Sequence, residues 1–138
     1  MNSFKILRSR FGISSNIFTL MNSESVECSF WNDIPIYTKD WNHINIGIEI
    51  PRLSLAKYEI NKQDSHHRII QDSKISRFTR KSEPRYYAQF PLFNYGYIPQ
   101  TWENPFKSQY SMEGYFGDDD PLDVLEIGSK SLGIIQVF

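Results

Sequence analysis

The run Ile44-Asn45-Ile46-Gly47-Ile48-Glu49-Ile50 alternates without a break. A period of two sets the isoleucines on one face of an extended chain and Asn45, Gly47 and Glu49 on the other. β-Branched isoleucine suits a pleated, half-buried surface. Pro51 then removes a ladder donor and ends the strand. A second run, Ala56 to Ile60, alternates in the same way, with Lys57 and Glu59 opposite Ala56, Tyr58 and Ile60. Cys28 to Tyr37 reads as a strand entering a turn at Asn32-Asp33. Arg68–Gln71 and Ser76–Arg80 read as a strand pair around a polar turn. Phe90 to Tyr97 is aromatic and ends in Asn94-Tyr95-Gly96-Tyr97, where Gly96 marks a turn or a close backbone approach. Glu103 to Phe116 reads as a polar loop, and Asp123–Ile127 and Ile134–Phe138 as short strands. No long amphipathic helix is legible. Many short strands with turn signals between them predict a mainly β fold, a small barrel or sandwich.

At 138 residues the chain is long enough for one domain. A net charge of −1 gives no electrostatic case for nucleic acid or an anionic membrane. No apolar run is long enough to span a bilayer. Cys28 is the single cysteine, which excludes a disulfide framework and argues against a cysteine zinc site. Residues 1–26 differ from the rest. Lys5, Arg8 and Arg10 alternate with Phe4, Ile6, Leu7 and Phe11, with serines nearby and no acidic residue before Glu24. That spacing is compatible with an amphipathic helix and has the composition of a mitochondrial transit peptide; the other reading is a basic terminus with no targeting role. The compartment expected is therefore cytoplasm or mitochondrial matrix.

The chemistry concentrates in Gly117-Asp118-Asp119-Asp120-Pro121-Leu122-Asp123-Val124-Leu125-Glu126-Ile127-Gly128. Clustered carboxylates repel one another, and a cation relieves that repulsion. Oxygen-only donors suit hard divalent cations such as Mg²⁺. Asp118 and Asp120 alternate to one side of an extended loop, and Asp123 can return to the same point from the next strand. The competing reading is a solvated acidic turn, because Asp and Pro are common turn formers. An EF-hand does not fit. Counting from Asp118, Asp123 falls where the motif needs Gly and Ser129 where it needs Glu.

Glu49, Lys57, Glu59 and Arg80 alternate with core residues on the predicted strands. Such a face is either solvated or the wall of a polar cleft. A phosphate ligand would use these cations, Arg as a bidentate fork and Lys as a point charge. Tyr95 adds a neutral hydroxyl donor.

Taken in order, Trp31–Tyr37, Glu49–Arg52, Ala56–Ile60, Ile69–Asp72, Arg77–Arg80, Asn94–Gly96, Pro99–Glu103 and Gly117–Gly128 resemble the motifs of the soluble, metal-dependent inorganic pyrophosphatases of the eukaryotic type. The likeness spans about residues 28 to 128, and an ordered set of motifs is more specific than any one of them. It implies a partial OB-like closed β-barrel within an α+β family, formed by residues 27–138 as the N-terminal part of the domain. It implies Mg²⁺-dependent hydrolysis of inorganic pyrophosphate to two phosphates, and a possible homodimer. By resemblance, Asp118, Asp120, Asp123 and Glu59 hold the metal. Asp120 accepts a proton from the attacking water, Glu49 lies near the metal waters, and Lys57, Arg80 and Tyr95 hold the phosphates.

Some positions depart from the family pattern. Asp119 stands where Asn is common. Leu53 replaces a Trp. Pro91 falls where a second active-site tyrosine is expected, leaving Tyr86 and Tyr87 as the nearby hydroxyls. The chain ends soon after the acidic run, short of the further aspartates, lysines and strands of the family, and is expected to be truncated. This supports an alternative reading, a non-catalytic binding or assembly protein on a partial pyrophosphatase fold. An OB-type nucleic-acid binder is a third reading, opposed by the charge.

Overall fold

The computed structural model describes residues 4–11, 15–108 and 114–133, and among them every regular element is a strand. To number in chain order, β1 is Lys5–Phe11, β2 Ser15–Met21, β3 Glu27–Cys28, β4 Gly47–Ile50, β5 Tyr58–Ile60, β6 Ile69–Gln71, β7 Ser73–Ile75, β8 Ser82–Pro84, β9 Asn94–Tyr97 and β10 Asp123–Glu126. One sheet runs β1-β2-β6-β5, with β3 also paired to β2. A second runs β10-β9-β4, and β7 and β8 form a separate hairpin. All these pairings are antiparallel.

Ile46, Ile48 and Ile50 are buried as the alternation predicts, while Ile44 is exposed beyond the end of the strand. The opposite face of β4 is buried too. Asn45 and Glu49 are covered, and Gly47 lies under the ring of Tyr97. A Cβ at Gly47 would lie 2.3 Å from that ring, and one at Gly96 would lie 1.8 Å from the Gly47 carbonyl oxygen. Gly96 is therefore a close backbone approach, one of the two readings open for it in the sequence. It lets β9 pair with β4. Tyr97 then reaches the core, where its hydroxyl donates to the Phe30 carbonyl at 3.1 Å.

The main core gathers Phe18, Leu20, Cys28, Phe30, Ile34, Tyr58, Ile60, Ile69 and Tyr97. Each large aliphatic or aromatic side chain buried there contributes about 1.5–3 kcal/mol. Phe18 and Leu20 come from β2, so the N-terminal segment is a β-hairpin built into this core and not an amphipathic helix. The spacing of Phe4, Ile6, Phe18 and Leu20 explains the difference. Alternate residues of paired strands face the same side, and these pack on or in the core.

The region after β6 also differs from expectation. Ser76–Arg80 is not a strand. It is the turn between β7 and β8, closed by Arg80 N–H donating to Ser76 O at 3.0 Å and Ser76 N–H donating to Lys81 O at 2.9 Å. Arg80 adopts a left-handed φ of 56° there. β6 pairs instead with β5 and β2. The expected strand Ile134–Phe138 lies outside the described residues.

Two local devices set the cleft. The Glu49 Oε1 oxygen accepts from Ile60 N–H at 2.8 Å, tying β4 of one sheet to β5 of the other. The β5–β6 turn is closed by Asp64, whose carboxylate accepts from Arg68 Nε at 2.6 Å, Arg68 Nη2 at 3.0 Å and the Arg68 backbone N–H at 3.0 Å.

Candidate active site

The strands β4, β5, β9 and β10 and the acidic loop before β10 enclose a cleft of about 270 Å³. Glu49, Lys57, Glu59, Tyr95, Asp120 and Asp123 line it, from separate stretches of sequence. β4 contributes Glu49, the polar face of β5 and the residues before it contribute Glu59 and Lys57, and β9 contributes Tyr95. Antiparallel pairing of β9 with β10 sets Asp123 opposite Tyr97 and Leu125 opposite Tyr95. This register carries the Tyr95 hydroxyl to Asp123 Oδ1, to which it donates at 2.7 Å.

Electrostatics inside the cleft are strongly coupled. Glu49 is 7% exposed. Burial pushes its carboxyl up to about 8, and the charges of Asp123, Glu59 and Asp120 add to the rise, against the hydrogen bond from Ile60. Burial and the bond to Asp123 also hold Tyr95 well above the ordinary tyrosine range, so it stays a donor. Burial pulls the Lys57 ammonium down, but the Glu59 and Asp72 carboxylates more than offset this and leave it raised. Lys57 Nζ stands 2.5 Å from Glu59 Oε2 and 3.1 Å from Asp72 Oδ2. Arg85 Nη1 meets the same Asp72 oxygen at 2.6 Å.

Two residues expected in the site lie outside its lining. Asp118 is exposed on the loop, where its Oδ1 accepts from the Asp120 N–H at 3.2 Å. Arg80 is exposed on the β7–β8 turn. Sequence reasoning also gave no site role to Lys62 and Glu103. Lys62 lines the cleft. Glu103 lies beside Asp118, and burial together with that neighbour raises its carboxyl. Tyr87 lines the cleft at 39% exposure, while Tyr86 is 61% exposed and forms a backbone bridge with Ala56. Tyr87 is thus the hydroxyl available near the position where Pro91 lacks one. The Tyr-Tyr pair was visible in the sequence, but which ring lines the cleft was not; the Tyr87 N–H bonds to Leu55 O at 2.8 Å.

The inorganic pyrophosphatase family profile matches residues 46–138. This chain belongs to the inorganic pyrophosphatase family. It is 45% identical to the inorganic pyrophosphatase of Kluyveromyces lactis over 105 residues, 74% of this chain and 35% of the relative. It is 42% identical to the human inorganic pyrophosphatase over 125 residues, 87% of this chain and 40% of the relative. The chain thus spans well under half the length of these relatives. The crystal structure of the type I inorganic pyrophosphatase from Toxoplasma gondii superposes with a TM-score of 0.82 at 31% identity, over 98% of this chain and 59% of that one. The N-terminally truncated vacuolar soluble pyrophosphatase of Trypanosoma cruzi, in complex with pyrophosphate, gives 0.80 at 28% identity, over 99% of this chain and 56% of that one. The fold is accordingly the pyrophosphatase's OB-like barrel in part: the described sheets remain separate and do not close on one another.

The cleft carboxylates are hard oxygen donors, and their mutual repulsion helps keep Glu49 protonated. Their negative charge already attracts cations of the chain, Lys62 to Asp120 and Lys57 to Glu59. As they stand, no three His, Cys, Asp or Glu side chains among the described residues are gathered tightly enough to hold an ion. The donor set fits a hard cation, and forming a coordination shell requires these side chains to exchange their present partners.

Proposed function

We propose that this chain carries one wall of a Mg²⁺-dependent site that hydrolyses inorganic pyrophosphate to two phosphates. One observation carries the reading. Glu49, Glu59, Asp120 and Asp123 share a cleft with Lys57 and Tyr95, so anionic metal donors and neutral or cationic phosphate donors face one space. Pyrophosphate bound with a divalent cation needs both kinds of partner.

Asp120, Asp123 and Glu59 would hold the cation, with Asp118 reaching in from the exposed loop. When bound, divalent cations supply polarisation of the phosphoryl oxygens and acidify a water toward neutral pH. Asp120 would accept a proton from that water. Glu49, protonated below about 8, can donate a hydrogen bond to a water or phosphate oxygen in the cleft. Tyr95, Lys57 and Tyr87 orient and neutralise phosphate oxygens. Arg80, exposed on the β7–β8 turn and outside the cleft lining, would have to reach in to add a phosphate contact.

The test is phosphate release from pyrophosphate with and without Mg²⁺, with Asp120→Asn as the control. Background rates in every sample would end the hydrolase reading for this chain. Mg²⁺ binding without turnover would instead support a non-catalytic role.

Homodimerisation is part of the proposal. Leu53, Phe90 and Leu92 are exposed, and Leu53 N–H bonds to Pro91 O at 2.9 Å, which brings them to one apolar area. Light scattering of the purified chain decides it. The compartment proposed is cytoplasm or mitochondrial matrix. No helix among the described residues is long and apolar enough to cross a membrane. Core packing of Phe18 and Leu20 favours retention of the N-terminal hairpin, whereas its basic composition favours import. A fluorescent reporter fused after Ser23 distinguishes the two.

A further inference from the structure

Lys62 follows β5 in the turn toward β6, and its ammonium reaches across the cleft to the acidic loop. Nζ stands 3.0 Å from Asp120 Oδ1 and 3.6 Å from Asp119 Oδ2. It also donates to the Asp119 carbonyl at 3.3 Å. Asp119 is itself held in place. Trp102 Nε1 donates to its Oδ1 at 2.9 Å, and its N–H donates to Glu103 O at 3.0 Å. Its φ of 69° is left-handed, a conformation that Asp tolerates better than most residues.

An ammonium and a divalent cation on the same carboxylate repel each other strongly at such distances. A cation arriving at Asp120 therefore has to move Lys62. Asp119 offers a fixed carboxylate and a carbonyl close by, so Lys62 can leave Asp120 without losing every anionic partner. We propose that Lys62 is a built-in competitor for the cation at Asp120, and that Asp119 is the seat to which it withdraws. The pair then sets the cation affinity of the cleft. This rests on the reading of Asp120 as a metal donor, and on no other part of that reading.

The experiment is calorimetry with Mg²⁺ alone, without pyrophosphate, on the unaltered chain, Lys62→Met, Asp119→Asn and the double variant. Lys62→Met is expected to tighten Mg²⁺ binding by about 2- to 5-fold, the range for removing a competing, partly exposed ion pair. Asp119→Asn is expected to weaken binding when Lys62 is present and to have little effect when it is not. A simple loss of negative charge would weaken binding equally in both backgrounds. That equality, or unchanged or weaker binding in Lys62→Met, overturns the proposal while leaving the metal reading intact. Absence of Mg²⁺ binding in all four chains overturns both. Binding that emerges only when Lys62 is removed supports both. Thermal melts accompany each variant, and Lys62→Gln gives the answer if Lys62→Met melts lower.

Discussion

Tyr95 and Asp123 are joined by a 2.7 Å hydrogen bond between residues on neighbouring strands, and they are not the directly opposed pair of the β9–β10 ladder. The hydroxyl reaches diagonally along the sheet, as aromatic side chains do. It presents the Asp123 carboxylate to the cleft in a fixed orientation. Tyr95→Phe keeps the ring and removes this donor. A hydrogen bond to a charged group is worth about 1.5–3 kcal/mol, so kcat/KM for pyrophosphate is expected to fall about 10- to 100-fold with the fold intact. An unchanged kcat/KM at saturating Mg²⁺ would remove Tyr95 from the site.

Glu49 should make the stability of the metal-free protein depend on pH. Its carboxyl is raised from an ordinary 4.5 to about 8 by burial first and by Asp123, Glu59 and Asp120 after it. A raised acid binds its proton more tightly in the folded state. Its stabilising contribution is therefore complete below 4.5 and is lost as pH rises through about 8. Glu49→Gln cannot ionise. Melting temperatures measured in chelator should fall for the parent chain between pH 6 and 9, while those of Glu49→Gln stay nearly flat. Parallel curves would contradict the placement of Glu49 in a dry, acidic wall.

Asp64 predicts the opposite sign. Its three hydrogen bonds from Arg68 hold its carboxyl well below the ordinary carboxylate range. A depressed acid contributes stability above its unfolded value, near 3.8, and loses it as pH falls below that. Asp64→Asn is therefore expected to melt lower at pH 7, by about 1–3 kcal/mol of stability, and to converge with the parent chain at strongly acidic pH. Denaturant melts at two pH values make the comparison.

Gly96 sets how closely β9 approaches β4. A methyl at this position would sit 1.8 Å from the Gly47 carbonyl oxygen. The obstacle is backbone, so the strands have to separate. Gly96→Ala is expected to cost about 3 kcal/mol or more, at the upper end of overpacking effects. Because Tyr95 and Tyr97 flank it, the same variant should also weaken Mg²⁺ binding. Equal stability of variant and parent by urea titration would refute this close approach.

The sequence alone determined the mainly β class, the alternation of β4 and β5, and the residue types of the site. Period-two patterning is a local property, and Lys57 and Glu59 are readable as one polar pair because near neighbours in sequence stay neighbours on a strand. The acidic run was legible for the same reason. The tertiary structure decided what no local pattern carries. Glu49 sits on the face of β4 that looks polar in sequence, yet it is buried, because β5 and the β9–β10 pair cover that face. Phe18 and Leu20 belong to the core because β2 pairs with β6, across a separation in sequence that periodicity cannot bridge. Ser76–Arg80 became a turn because its backbone groups bond to one another, leaving Arg80 away from the cleft lining. Lys62 and Tyr87 joined the site through contacts between distant segments. Charge type and alternation are written residue by residue, whereas burial and the pairing of charges depend on which surfaces the folded chain brings together.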